Sequence, residues 1–383
     1  MIQKTGNDEV SLFSFLESRF SVFTQIRLDE RGGYGKITCL MNIQNEQSVL
    51  NPPRMIPAIT AGFNTVANRV SLILLPIALD LLLWFAPKLS IQNLLLPIMD
   101  QVITTMGKVA NADTAAALTT TSQLWNQLLG QYSLLSSLRT MPVGIPSLVA
   151  RAGYTQNPLG SPVVLQIPSG SMALVIFLGL TLIGFFIGAI YFDMLSRSTA
   201  PGQEPVKFKQ IISQYAQSLW IAFYLLLIGL FLVVPLVFFL SLFSVFGAGV
   251  SQILFLFAGL GLLWLLIPLV FSIHGIFVMH QKAMPSMMLS AKLIRFFLPG
   301  TGTFILLCAL ISEGLNLLWI VTPANSWLTL IGIFGHAFVV TGLLAASFIY
   351  YREGLHWMQE SIQRLSASAS NRTDNGGYVG RNQ

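Results

Sequence analysis

The sequence predicts an all-α polytopic membrane protein with six transmembrane helices, cytoplasmic interfacial helices and an external amphipathic helical hairpin. Two observations carry this prediction. The chain is 54% apolar and only 9% charged, whereas soluble domains are about 25% charged. Its Lys and Arg residues also fall mainly on alternate sides of six long apolar stretches. That asymmetry is typical of chains that cross a bilayer several times.

Each of the six stretches has about 17 to 30 residues, which is long enough to cross a hydrocarbon core of about 30 Å as a helix. They are Val70–Ala86, Ser171–Leu195, Leu219–Phe246, Val250–Met279, Thr303–Val321 and Trp327–Tyr351. Six crossings place both chain ends on the same side of the membrane.

The basic residues orient these crossings. They precede the first stretch, fill the connections after the second and fourth, and follow the sixth. The positive-inside rule makes those segments cytoplasmic. We therefore expect a multi-pass protein of the cell membrane with both termini in the cytoplasm and residues 87–170 outside. Seven basic side chains are expected to contact anionic lipid headgroups: Arg54, Arg69, Lys207, Lys209, Lys282, Lys292 and Arg295.

The membrane domain is predicted to cover residues 54–357. Residues 1–53 are predicted to be a poorly ordered cytoplasmic segment, and Met41 or Met55 could replace Met1 as the initiator. Residues 358–383 are predicted to be a disordered cytoplasmic tail.

A weak internal repeat precedes the odd-numbered spans. Short amphipathic stretches at residues 53–69, 205–218 and 284–295 each begin with a proline or a basic residue. In the third stretch, Met287, Met288, Ala291 and Ile294 would form one apolar helical face, with Ser290 off it. The pattern favours three copies of an interfacial helix followed by a hairpin. The alternative is that cytoplasmic loops entering a membrane commonly look this way.

The long connection at residues 87–170 carries its own helical pattern. Apolar residues recur at helical spacing over Ile91–Val109 and again over Leu118–Leu138, before several prolines break regular structure. The pattern predicts two helices with buried apolar faces, lying on the outer membrane surface or capping the bundle. Packing on the other external loops explains the pattern equally well.

Four polar side chains fall near the middle of predicted spans: Asp80, Glu313, Asn316 and His336. An ionisable group inside a bilayer is costly, so its default interpretation is functional. If these groups face one cavity, they would form a proton relay or a cation site. The alternative is that each is neutralised, or pairs with backbone and hydroxyl groups to hold helices together.

Gly184 and Gly188 form a small-xxx-small pair in the second span. Close helix packing within the chain is the ordinary explanation, and homodimerisation is the more specific alternative.

No catalytic residue, metal site or cofactor is predicted. His274 and His280 do not share a helical face, so they are a poor start for a zinc site. The basic residues are spread among loops rather than gathered in a stripe, which speaks against nucleic acid. No Ser–His, Asp–Asp or His–Glu–His spacing supports an intramembrane enzyme.

One segment carries a family resemblance. Residues 284–295, read as Met-Pro-Ser-Met-Met-Leu-Ser-Ala-Lys-Leu-Ile-Arg and followed by a span, resemble the small-residue, Ser, Leu-Ile/Val-Arg signature of a six-span superfamily. That superfamily includes the membrane domain of some bacterial glycerophosphodiester phosphodiesterases. The likeness extends in architecture over about residues 55–357. It implies a stand-alone protein of the bacterial inner membrane and argues against hydrolase activity, because this chain lacks the enzymes' paired acidic motif.

Two functional classes remain. The preferred one is a non-catalytic integral membrane protein that binds or organises lipid or supports a membrane partner. The alternative is a transporter or channel subunit with a mid-membrane proton or cation site at Asp80, Glu313 and His336. One water-accessible cavity lined by all three groups would favour the transporter. Separated groups in a dry bundle would favour the first class.

Overall fold

The computed structural model describes residues 52–108, 112–200, 207–243 and 248–376, so nearly all of the predicted N-terminal segment lies outside the described residues. The described chain is mainly helical and has two short strands, β1 (Lys88–Ser90) and β2 (Val164–Gln166), which pair in parallel. The helices in chain order are α1 (Met55–Asn68), α2 (Leu74–Phe85), α3 (Gln92–Gly107), α4 (Ala112–Gln131), α5 (Leu148–Ala152), α6 (Gly170–Ser198), α7 (Phe208–Phe243), α8 (Ala248–Leu266), α9 (Ser272–Met279), α10 (Ala283–Phe296), α11 (Leu298–Ile320) and α12 (Thr329–Gly376).

Five helical stretches are long and apolar enough to cross a membrane by themselves: Gly170–Ser198, Phe208–Phe239, Gln252–Met279, Leu298–Ile320 and Thr329–Ser366. They confirm the prediction of an all-α polytopic protein. The first predicted span differs, because a 3-10 turn at Val70–Ile73 precedes the short α2. It reaches the length of a span only together with α1, and the two parts are bent by 93°.

Two predicted boundaries are wrong. Helix α7 runs without a break from Phe208, so the second predicted interfacial stretch is the start of a long membrane helix and not a separate element. Helix α12 continues to Gly376, so the predicted disordered tail is helical over most of its length, and only residues 377–383 lie outside the described part. Both segments lack a helix breaker at the predicted boundary, which explains the continuation.

Helix α1 packs on α12 through a close contact of small residues. A Cβ atom added to Gly62 would lie 2.5 Å from both the Ala346 amide nitrogen and the Gly342 carbonyl oxygen. Phe63 lies against Phe338 in the same contact, with their ring centroids 5.7 Å apart. The buried side of this predicted interfacial helix therefore faces a membrane-spanning helix.

Helix α10 stabilises a break in the fourth predicted span. The 3-10 turn Ile267–Leu269 separates α8 from α9 and frees backbone groups that a continuous helix would use. The Ser290 hydroxyl donates to the Pro268 carbonyl at 2.8 Å and accepts from the Phe271 amide at 3.1 Å. The Ser286 hydroxyl donates to the Ser272 carbonyl. Polar side chains are the usual means of satisfying a broken helix at membrane depth.

The predicted apolar face of α10 is consequently wrong. Ser286 and Ser290 are fully buried, together with Met287 and Ile294, while Met288 is exposed. The helix presents serines to the broken span because that span has backbone carbonyls to satisfy. Apolar periodicity alone does not record this need.

Helices α3 and α4 form the predicted hairpin, but with shifted ends. The first helix matches the predicted Ile91–Val109 closely, whereas the second begins at Ala112 and stops at Gln131, before a 3-10 turn at Leu134–Leu138. The protein itself does not bury the apolar faces of these helices, so their burial against the membrane stays a prediction. No residue of α3 is buried, and Leu129 alone is buried among the described side chains of α4.

The second half of the same connection returns into the bundle. Leu138, Val143, Ile145 and Leu148 are buried in the main core among the membrane helices. The chain at Leu138 and Gly144 lies against Gly184 and Gly188, near the middle of α6. The prediction that residues 87–170 lie wholly outside is therefore corrected, since residues 134–149 pack between spans.

Candidate functional site

Two of the four polar groups predicted in mid-membrane, Asp80 and Glu313, bind the returning part of the connection. Asp80 on α2 is fully buried. Its carboxyl group accepts from the Ser147 hydroxyl, from the Leu148 amide at 3.1 Å and from the Val149 amide at 3.0 Å. These donors are the start of α5, so Asp80 caps the N-terminus of a short helix, where an acidic group is favoured.

Ser147 completes this cap. Its hydroxyl donates to Asp80 and accepts from the Ala150 amide at 3.0 Å, which is the usual arrangement of a serine N-cap. The main-chain groups at the start of α5 are thus satisfied although the helix is packed among apolar spans. Each oxygen of the Asp80 carboxyl group thus accepts at least one hydrogen bond, two on Oδ1 and one on Oδ2.

Glu313 on α11 pairs with Arg151 at the end of α5. The two guanidinium nitrogens meet the two carboxylate oxygens, one of them at 2.9 Å. The side chains of Arg151 and Glu313 are 37% and 56% exposed, respectively. This bidentate geometry is the strong form of an arginine–carboxylate contact.

Asn316 and His336 are both buried, at 3% and 6% exposure. The antiparallel α11 and α12 place them at the same level, because a Cβ atom on Gly332 would lie 3.1 Å from the Trp319 carbonyl oxygen. The Asn316 Oδ1 and His336 Nε2 atoms have no hydrogen-bond partner among the described residues. Buried polar atoms without a protein partner commonly contact water or a ligand.

Arg139 adds a second cation to this region. It follows Leu138, whose carbonyl oxygen lies against Gly184 of α6, and its side chain is partly buried. The two arginines and the two carboxyl groups balance in formal charge. We name the following six residues the outer polar cluster: Asp80, Arg139, Arg151, Glu313, Asn316 and His336.

The structure gives the two predicted carboxyl groups separate partners. Asp80 and Glu313 each have their own partners, Ser147 with two amides in one case and Arg151 in the other. The sequence interpretation missed Arg139 and Arg151, which appeared as ordinary charges of an external loop. Arg151 could have been sought as a partner of Glu313, because charged groups within spans usually pair with one another.

The seven basic residues expected at lipid headgroups are all exposed. Arg69 also donates to the Ser198 hydroxyl at 3.2 Å, which ties the bend between α1 and α2 to the end of α6. Asp193 and Arg197, one turn apart on α6, form an ion pair at 2.6 Å. Arg352 donates to the Ser196 carbonyl and the Thr199 hydroxyl, both at 2.6 Å, and so joins the ends of α6 and α12.

The glycine pair of α6 is covered by the chain itself. A Cβ atom on Gly184 would clash with the Leu138 carbonyl oxygen, and one on Gly188 would lie 2.8 Å from the Gly144 Cα atom. Because neither glycine has a side chain, the returning connection can pack closely against this face of α6. A homodimer through this face would require that segment to leave.

Comparison of the chain with protein-family models, with curated proteins and with solved structures finds no match. The resemblance of residues 284–295 to the six-span superfamily therefore stays a prediction.

Proposed function

We propose that this chain is a non-catalytic integral membrane protein that binds and organises lipid through its outer helical hairpin. The observation that carries the proposal is the exposed apolar surface of α3 and α4. Ile98, Val102 and Met106 are exposed at four-residue spacing on α3, and Leu124, Trp125 and Leu128 are exposed on α4. Exposed apolar patches of this kind mark interaction surfaces.

The membrane is the occupant that this surface fits. A cleft between the two helices is lined by Ile103, Gly107, Leu118 and Ser122, so the exposed stripe faces away from their mutual contact. Trp125 suits a membrane interface, where the apolar ring and the polar N–H meet different surroundings. Lipid is therefore a suitable partner for this face.

The chain connections at both ends of the hairpin keep it close to the membrane helices. Helix α2 ends at Phe85 and α3 begins at Gln92, so the connection spans at most about 25 Å. At the other end, Leu134 is buried and begins the 3-10 turn that leads to Leu138 in the main core. The hairpin base is also fixed, because the Leu89 amide donates to the Ser133 hydroxyl at 3.2 Å and the Lys88 ammonium donates to the Gly130 carbonyl.

The outer polar cluster supports this class over the transporter. A relay needs carboxyl groups that are available to a moving proton or cation, yet the oxygens of Asp80 and Glu313 are occupied by donors of the connection. The cluster then serves to hold residues 134–152 in the bundle and to position the hairpin.

Membrane insertion of the hairpin can be measured with an environment-sensitive fluorophore at residue 124. In a variant without native cysteines, a label on Leu124→Cys should show blue-shifted emission in lipid nanodiscs, and Ile98→Ser with Val102→Ser should reverse that shift. The same label on Asn126→Cys is the control, because Asn126 is exposed on the opposite side of α4. Equal spectra at both positions would contradict the proposal.

We further propose six crossings, with α1 and α2 forming the first, and with both termini and the basic connections in the cytoplasm. This follows from the charge asymmetry of the loops. Single cysteines at Gln123 and Gln203 should react with a membrane-impermeant maleimide from opposite sides of intact cells and inverted vesicles. Labelling of both from one side would refute this topology.

A further inference from the structure

An ion pair lies on the exposed side of α11. The bidentate contact of Arg151 with Glu313 leaves the two side chains 37% and 56% exposed. On the same side of the helix Leu306, Leu310 and Leu317 recur at helical spacing and are exposed as well. The two charges therefore stand within an apolar stripe.

The depth of the pair makes its exposure costly. Helix α11 has 23 residues and is about 34 Å long, whereas the hydrocarbon core of a bilayer is about 30 Å thick. Glu313 precedes the end of α11 at Ile320 by seven residues, or about 10 Å, so the pair lies below the headgroups. Ionisable groups at such a depth almost always face the interior of a bundle or a water-filled cavity.

The pair also has hydrogen-bonding capacity that the chain leaves unused. A guanidinium carries five N–H groups, and among the described residues only Glu313 accepts from Arg151, taking two of them. Each carboxylate oxygen of Glu313 accepts one of these bonds and keeps a further lone pair. The exposed side of the pair can thus both donate and accept hydrogen bonds, which acyl chains cannot return.

We propose that a second copy of this chain covers the pair, in a dimer that packs along α11. Both copies cross the membrane in the same direction, so the membrane sets their ion pairs at the same depth. A two-fold axis between the two side chains brings Arg151 of each copy opposite Glu313 of the other. Such a contact requires a self-complementary surface, and an acid beside a base provides one. A lipid headgroup, by contrast, would have to leave its own level to reach the pair.

Gly314 allows the close approach that such a dimer needs. It is exposed on α11 next to Glu313, and a Cβ atom there would meet no neighbour within 4 Å among the described residues. Small residues let the backbones of membrane helices come together, and polar side chains across the contact add hydrogen bonds. Unlike Gly184 and Gly188, this glycine faces no described segment of its own chain.

Association is measured with the full chain in phosphatidylcholine vesicles. Two populations of a variant without native cysteines carry a donor or an acceptor fluorophore on Gln363→Cys, an exposed position of α12. Energy transfer between them is followed as the lipid-to-protein ratio is raised. We expect transfer that falls with dilution, as a dimer dissociates.

Gly314→Leu should weaken the dimer at least about tenfold, because the added side chain fills the space that the second copy occupies. The unfolding midpoint of the monomer should not fall, since that side chain meets nothing within one copy. Gly259→Leu is the matched control, at an exposed glycine of α8 that also has no described neighbour within 4 Å. This control should leave association unchanged.

Exchange of the two charges tests the contact between copies. The double variant Arg151→Glu with Glu313→Arg keeps an ion pair within each copy and should dimerise with itself. Mixed with the unchanged chain, it should give little energy transfer, because like charges then face each other across the axis. If the double variant does not fold, the comparison of Gly314→Leu with Gly259→Leu decides the matter.

Three results would overturn the proposal. Transfer that does not depend on dilution would show that lipid, and not a second copy, covers the pair. Full association of Gly314→Leu, or free mixing of exchanged and unchanged copies, would place any dimer contact elsewhere. None of the tested residues lies in α3 or α4, so each of these results would leave lipid binding by the hairpin unaffected.

Discussion

Replacing Asp80 with alanine should lower the free energy of unfolding by about 3 kcal/mol, one of the two largest single-residue effects we expect. Three buried donors at the start of α5 lose their acceptor in this variant. Each orphaned donor costs about 1 to 3 kcal/mol in a soluble core. The loss is smaller in a membrane, at about 0.6 kcal/mol on average, because the unfolded chain also finds partners there. The loss of about 3 kcal/mol expected for three donors lies between the totals that these two costs per donor would give.

The measurement is thermal or denaturant unfolding in nanodiscs, with Asp80→Asn and Asp100→Ala as companions. Asparagine keeps one acceptor, so its loss should be intermediate. Asp100 is an exposed carboxylate on α3, and its replacement should change stability by less than about 0.5 kcal/mol. If Asp80→Ala were as stable as Asp100→Ala, the helix cap would contribute nothing and the transporter reading of Asp80 would regain support.

The long apolar helices could be predicted from sequence because lipid imposes a strict rule on them. A chain in a bilayer must satisfy its backbone internally, so a span has to be a long apolar helix. Helices such as α6 and α11 obey that rule and lie close to their predicted limits. The 93° bend between α1 and α2 was not predicted, because hydropathy measures length and polarity but not direction.

The returning connection could not be predicted for a different reason. Leu138 was counted in the second predicted amphipathic helix, whereas the buried Val143 and Leu148 have no helical period, so their proline-rich segment resembles a surface loop. Its burial depends on Gly184 and Gly188, which come much later in the chain. The ion pair between Arg151 and Glu313 is likewise a contact between distant segments.

The candidate site could likewise be predicted only in part from the sequence. Asp80, Glu313, Asn316 and His336 could be singled out, because a polar group in an apolar span is conspicuous and costly. The roles of these groups depended on partners outside the spans. Ser147 and Arg151 lie in a segment with no distinguishing pattern, and they decide that two of the four groups hold the connection in place.

Replacing Gly188 with alanine should destabilise the folded chain by about 2 kcal/mol, and leucine should have a larger effect. The added Cβ atom would lie 2.8 Å from the Gly144 Cα atom, which is backbone and cannot turn aside. Overpacking of this kind costs about 1 to 3 kcal/mol. The strain should also push residues 138–144 away from α6, so a cysteine at Val143, which is fully buried, should become reactive to maleimide.

Gly179 provides the matched control on the same helix. A Cβ atom there meets no neighbour within 4 Å, and alanine is a better helix former than glycine by up to about 1 kcal/mol. Gly179→Ala should therefore leave stability unchanged or raise it.

Sedimentation of the protein outside nanodiscs measures the fraction of dimer and so distinguishes packing of the connection on the glycine pair from homodimerisation. If Gly188→Ala lowered the dimer fraction while monomer unfolding and Val143→Cys reactivity stayed constant, the glycines would serve a second copy instead of the connection.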